Sequence, residues 1–244
     1  TLSDNRILME RDPGYAANLM ALPTVERERL LGGNWRIRPA AGMYFKRERA
    51  PILTEMPNDI ISYVRAWDLA ACEERTGYTA GVLMGKRRGG GYVVLDVINR
   101  RMSASDVRAC IQSTAITDQL RFKPLRIRLN QDPGQAGKDQ AEQYLKLLTG
   151  HAVSIVRESG SKLVRAEPFS AQWQGLSGTS HGNVSLLPGE WNAEYLSQLE
   201  AFPDSKYKDM VDASATAFSE LESHAGVIPA KNIGGVGATS RWRI

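Results

Sequence analysis

The run SYVRAWDLAA, residues 62–71, is apolar almost throughout, interrupted by Arg65 and Asp68, and reads as a buried strand. Two more apolar runs follow, TAGVLM at 79–84 and GYVVLDVI at 91–98. The hexapeptide Gly85-Lys86-Arg87-Arg88-Gly89-Gly90 between them is a strong hairpin signal, so the three strands are expected to form an antiparallel meander. Ser105 or Asp106 then caps a helix reaching about Leu120, with Val107, Cys110, Ile111 and Ala115 on one face. PLRIRL at 124–129 alternates and predicts a fourth strand, Lys138–Leu148 a helix, and AVSIV at 152–156 a fifth strand. A short strand is expected at Val184–Leu187, and two helices, 191–201 and about 206–222, close the body. The order β-β-β-α-β-α-β-α predicts an α/β fold in which a mixed sheet, three antiparallel strands followed by parallel ones, is flanked by helices.

Around this body, residues 1–57 do not read as a self-sufficient domain. Thr24 is placed to cap a short helix over 25–31, but the rest is broken by Pro13, Pro23, Pro39 and Pro51. Scattered anchors such as Leu30, Trp35, Met43 and Phe45 suggest a connector that packs on something larger, with the boundary at Met56-Pro57-Asn58-Asp59. The main domain is then expected over 58–224, and the Gly- and Ala-rich stretch 225–244 as a flexible, partner-binding tail. The 244 residues carry a net charge of +4. Residues 1–57 hold 9 basic and 7 acidic side chains and residues 225–244 hold 3 and none, which leaves the body nearly neutral. Charge alone therefore points only weakly to nucleic acid. No run of about 18 apolar residues is found, so no spanning helix is expected, nor is a secretory signal evident. Two cysteines, Cys72 and Cys110, cannot build a disulfide framework and read as small core residues of a cytosolic protein. The chain opens on Thr, as a fragment or processed product does.

Carboxylates inside apolar strands carry the chemical information, because there an ionised acid must be paired or must coordinate a metal. Asp68 sits in the first strand, Asp132 follows the fourth, and Asp209 and Asp212 lie three apart on the last helix, on one side of it. If the first and fourth strands are neighbours, Asp68 and Asp132 end close together, and the last helix supplies further carboxylates. Such a set without His or Cys is a hard oxygen site suited to Mg²⁺ or Mn²⁺. Two such ions about 3.5–4 Å apart activate water and stabilise the leaving oxygen of a phosphodiester. The structural alternative pairs Asp68 with Arg65 or Arg128 and leaves Asp209 and Asp212 on a solvated face; for Asp96, also in a strand, the structural reading is preferred. GQAGKD at 134–139 lacks phosphate-loop spacing, Ser180-His181 has no triad partner, and His151 and His224 are too scattered for zinc. Trp173 and Trp191 read as packing residues.

The strands' order is that of the ribonuclease H-like fold, and particular strings narrow the resemblance. WDLA (67–70), GYVVLDVINRRMSASDV (91–107), QDPGQAGK (131–138), SKLVRAEPFSAQ (161–172) and FPDSKYKDMVDASATA (202–217) together resemble the C-terminal nuclease domain of the large terminase subunit of tailed bacteriophages. LPTVERERLLGGNWRI and GMYF, within 1–57, resemble the segment that links the packaging ATPase to that nuclease, and neither Walker motif of the ATPase is found. The resemblance implies a metal-dependent DNA endonuclease that cuts concatemeric viral DNA during packaging in the host cytoplasm, with two Mg²⁺ or Mn²⁺ ions. Its implied partners are double-stranded DNA, the small terminase subunit and the portal protein, and no membrane. It implies Asp68, Asp132 and Asp209 as catalytic metal ligands, with Asp212 as the neighbouring acid that contacts metal directly or through water. Two positions depart from the family pattern: Tyr207-Lys208-Asp209 stands where His-Asp-Asp is common, and Asn130 where many relatives have Glu. Lys86, Arg87 and Arg88 at the hairpin tip, and Lys162 and Arg165 before the last helices, are candidate DNA contacts. Two other readings compete: a nuclease selective for Holliday junctions or transposon ends, and a catalytically inert docking module.

Overall fold

In a computed structural model of the chain, the described residues are 11–12, 14–20, 27, 30–31, 33, 42–69, 77–131, 134–157, 160–176 and 178–223. Asp132, Trp35, Cys72, most of the helix expected at 25–31 and the whole of 225–244 lie outside them. A short helix α1 spans Tyr15–Met20. The body then runs β1 (Ile60–Asp68), β2 (Thr79–Arg87), β3 (Tyr92–Arg100), α2 (Ala104–Arg121), β4 (Leu125–Gln131), α3 (Gln135–Leu147) and β5 (Val153–Arg157). It closes with α4 (Lys162–Gln174), β6 (Val184–Leu186), α5 (Asn192–Glu200) and α6 (Asp209–Ser223).

The six strands form one mixed sheet in the order β5-β4-β1-β2-β3-β6. β1, β2 and β3 pair antiparallel, as the meander requires, whereas β4 joins β1, β5 joins β4 and β6 joins β3 in parallel. The expected mixed sheet is therefore present, with β1 at its centre. Strand ends differ from the sequence reading by a few residues. The largest difference is in β2, which continues through Lys86 and Arg87, because Lys86 pairs with Glu222 at 2.6 Å and Arg87 with Asp59 at 2.9 Å. Ser103 caps α2 by accepting from the Asp106 amide, two residues or more before the expected cap.

Alternation along β1 divides its side chains between the two faces. Val64 and Ala66 join Ala80, Val82, Met84 and Val94 under α4, α5 and α6, while Trp67 packs against Val107, Ile111 and Ala115 of α2. Ala213, Ser214, Ala215 and Ala217 are all buried, so α6 can lie close across β1 and β2. Asp68 follows Val64 and Ala66 in parity and therefore faces α6. Residues 45–49, near the end of the expected connector, pack on the body. Phe45 is 0% exposed and lies against Phe169, Trp173 and Phe202, the Trp173 indole donates to the Lys46 carbonyl, and Arg49 donates to the carbonyls of Gln174 and Thr179. Leu30 is at the surface.

Candidate active site

Asp68 is the last residue of the central strand, where β1 and its parallel neighbour β4 both present their C-terminal ends. In a parallel α/β arrangement this edge is where ligands bind, outside the carboxyl ends of the strands. Two helix N-termini converge there. α4 is capped by Ser161, whose hydroxyl accepts from the Val164 amide, which places Lys162 and Arg165 in the first turn. α6 begins at Asp209, so Asp209 and Asp212 occupy its first turn, where the helix dipole favours negative charge.

Lys162 Nζ reaches both acids, 3.3 Å from Asp68 and 2.7 Å from Asp212. Arg165 Nη2 donates to both oxygens of Asp212, each at 2.9 Å. Cations in the first turn of α4 oppose that helix's dipole. Their placement is explained by the carboxylates they face. Burial pushes the Asp68 carboxyl up to about 7 against the pull of Lys162, and the charges of Asp212 and Asp209 add to the rise. Burial also raises Asp209, again opposed by Lys162. Lys162 itself would be lowered by burial, but Asp68, Asp212 and Asp209 together hold its ammonium above the ordinary lysine value.

The structure thus brings Asp68, Asp209, Asp212, Lys162 and Arg165 together, five of the nine candidates, and Asp132 lies outside the described residues. Neither arginine weighed as a partner for Asp68 fills that role. Arg65 points to the opposite sheet face and binds Asp96 at 2.8 Å and Asp118 at 2.7 Å, which also gives Asp96 the structural role expected of it. Arg128 binds the buried Glu220 of α6 at 3.2 Å, and Arg126 approaches the same carboxylate at 3.4 Å. These contacts hold α6 to β4 and so set the height of Asp209. Asn130, the departure from Glu, donates to Thr216 at 3.3 Å.

Lys86, Arg87 and Arg88 are at the other end of the sheet. Ile60 at the start of β1 pairs with Arg87, whereas Asp68 pairs with Ala80. Eight residues of strand separate the two ends, roughly 26 Å. A duplex held at the carboxylates would meet the hairpin tip only about eight base pairs away, at 3.4 Å each. Two of these three cations are also engaged within the chain, by Glu222 and Asp59.

The donor set fits Mg²⁺ or Mn²⁺ in chemistry: Asp68 and Asp209 offer hard oxygens whose ionised form burial disfavours and a cation would favour. Mg²⁺ typically keeps several waters and takes one or two carboxylates plus phosphate oxygens, which suits this pair. Asp212, expected to contact metal directly or through water, is engaged by Lys162 and Arg165. Among the described residues no three acidic, His or Cys side chains converge closely enough to hold an ion.

A second cluster at the same edge escaped the sequence reading. Arg101, just past β3, stacks over Tyr78 at 4.6 Å and donates to the Tyr207 hydroxyl at 2.9 Å. The Tyr78 and Tyr207 rings meet edge to face at 4.9 Å, and Lys206 lies 5.2 Å from the Tyr207 ring. The signal was present in Arg100-Arg101 and in Lys206-Tyr207-Lys208, basic residues interleaved with an aromatic.

Comparison with known proteins assigns the family. No curated protein matches the chain in sequence. Among solved structures, Thermus thermophilus RuvC in complex with a Holliday junction substrate is similar over 67% of this chain and 96% of its own, at 11% identity and a TM-score of 0.40. A second Thermus thermophilus RuvC structure has the same identity and coverage and a TM-score of 0.37. The terminase RNaseH-like domain family matches residues 65–221, from three residues before Asp68 to nearly the end of α6. With most of its length so matched, and with the mixed sheet and its flanking helices in place, the chain belongs to the family of terminase RNaseH-like domains.

Proposed function

We propose that this domain is a divalent-metal-dependent endodeoxyribonuclease that cuts concatemeric viral DNA during genome packaging. Family membership supports a nuclease of the RNase H superfamily. The observation that carries the finer reading is the placing of Asp68 at the carboxyl end of β1, within reach of the Asp209 charge and bridged by Lys162 to Asp212. Asp68 and Asp209 are the ligands in this reading, and Asp132 completes the set that a two-ion site requires. A bound Mg²⁺ or Mn²⁺ polarises the phosphoryl oxygen and lowers the pKa of water, which supplies the nucleophile.

The chain's own residues do the positioning. Arg165 fixes Asp212 with two hydrogen bonds, and Asp212 in turn anchors Lys162. Lys162 neutralises the carboxylate edge before DNA arrives, which lowers the repulsion an incoming phosphate meets. Lys162, held 2.7 Å from Asp212, would donate to a phosphate oxygen where Asp68 held an ion. Small terminase subunit, portal and double-stranded DNA are the partners this role implies, in the host cytoplasm. Among the described residues no helix is long and apolar enough to cross a membrane.

Supercoiled plasmid incubated with the chain tests the reading. Nicking followed by linearisation is expected with Mn²⁺ or Mg²⁺, and none with EDTA. A folded protein that leaves plasmid intact in every metal would overturn it.

A further inference from the structure

We propose that Tyr78, Arg101, Lys206 and Tyr207 form a platform that receives the phosphodiester backbone of a DNA strand beside the carboxylates; the inference rests on the nuclease reading above.

Register places the platform. Asp68 pairs with Ala80 on β2, and Thr79 pairs with Arg100 on β3, so Tyr78 and Arg101 stand just past the same strand ends. Tyr78 shares its parity with Ala80 and Val82, which face α6, and so projects to the side that Asp68 faces. Tyr207 is two residues before Asp209. Arg101 is therefore about two strand spacings from Asp68, on the order of 10 Å. That is roughly three nucleotide steps along a duplex axis.

The chemistry suits a phosphate. Arg101 is exposed, and among the described residues no carboxylate pairs with it. Its guanidinium lies over the Tyr78 ring, 4.6 Å from the centroid, and spends one donor on the Tyr207 hydroxyl. A guanidinium carries five donors in a fixed fork, so most of them remain to meet phosphate oxygens bidentately. These two contacts restrain the guanidinium in advance and lower the ordering cost of binding. Lys206, 5.2 Å from the Tyr207 ring, adds a second cation, and Arg100 and Lys208 flank the pair in sequence. The carboxylates alone repel DNA; this rim supplies positive charge on the β3 side of the cut, as Lys162 and Arg165 do on the α4 side.

The experiment uses the full chain carrying Asp68→Asn, so that the probe is not cut. Binding of a fluorescein-labelled duplex is followed by anisotropy between about 50 and 200 mM salt, for this parent and for added Arg101→Ala, Arg101→Lys and, as a control of equal charge on the exposed face of α3, Lys146→Ala. Arg101→Ala is expected to weaken binding roughly tenfold and to lower the salt slope by about one. Arg101→Lys should restore the slope but only part of the affinity, since it keeps the charge and loses the fork, while Lys146→Ala should change neither. An unchanged slope and affinity in an Arg101→Ala protein with the parent's melting temperature would overturn the platform. So would an equal loss in Lys146→Ala. Plasmid cleavage by the chain without Asp68→Asn separates the two readings. Cutting by that chain together with Arg101-independent binding removes the platform alone, whereas Arg101-dependent binding without cutting supports the platform and removes the nuclease.

Discussion

Asp68→Asn is expected to abolish metal-dependent cleavage and, in the same protein, to stabilise the metal-free fold at neutral pH. The loss of activity should be at least roughly a hundredfold, the scale on which removal of one transition-state charge contact is felt. Asn keeps the shape and can still accept a hydrogen bond from Lys162, but it carries no charge to hold an ion. The gain in stability follows from the same burial. In the unfolded chain Asp68 titrates near its ordinary 3.8; in the fold, burial and the neighbouring acids push it up to about 7. Between those values the folded state holds more protons than the unfolded state, so stability falls as pH rises from about 4 to about 7 and is constant above. Asn has no ionised form to penalise. One pKa unit corresponds to about 1.4 kcal/mol, so the gain is on the order of a few kcal/mol above pH 7 and vanishes near pH 4. Urea unfolding in EDTA at pH 4.5 and pH 8, for both proteins, is the measurement. A variant that loses stability at pH 8 would show Asp68 to be a structural partner of Lys162, and the ligand assignment would fall with it. Divalent metal should reverse the pH trend in the unsubstituted protein, because an ion favours the ionised carboxylate and binds the folded state alone.

The sequence made β1, β2 and β3 legible because buried strands read as apolar runs, and Asp68 stood out because it interrupts one. Asp209 and Asp212 were legible as a pair because helical spacing puts them on one side. What could not be read was which cation each acid would meet. Arg65 is three residues from Asp68, an odd separation, and so lies on the opposite face; only the fold showed that Asp118 waits for it there. Lys162 is 94 positions from Asp68, and no local pattern links the two. The helix Lys162–Gln174 was not delimited either, since Pro168 stands inside it and argues locally for a break. Tertiary packing overrides that preference: Ala166, Phe169 and Trp173 on one side of α4 are each at most 1% exposed. The basic run at 86–88 meets the same limit. Its density is visible in one dimension, its distance from Asp68 is not.

Arg65 carries the second large effect, on stability. Its side chain is 2% exposed, and its Nε and Nη2 donate to the two oxygens of Asp118 at 2.7 and 3.2 Å, while Nη2 also reaches Asp96 at 2.8 Å. Asp118 is 7% exposed and sits in α2, so this fork ties the strand that ends in Asp68 to the helix packed on its far face. Removing one partner of a buried pair strands the other charge, at a cost of about 3–5 kcal/mol. Arg65→Met keeps most of the volume and should cost that much in urea unfolding at pH 7. Removing both buried partners is a different matter, because the charge left over, on Asp96, is 43% exposed and stays in water. Arg65→Met with Asp118→Leu should recover most of the loss, a coupling of at least 2 kcal/mol or so in the double-mutant cycle. A single variant costing under about 1 kcal/mol, or losses that simply add, would mean that water reaches the pair and that apolar packing alone fixes β1. If the fork does hold the strand, the recovered double variant also tests its functional purpose. Restored stability with cleavage still impaired would mean that the ion pair aims Asp68, whereas full recovery of both would mean that any well-packed pair at these positions holds the strand end in place.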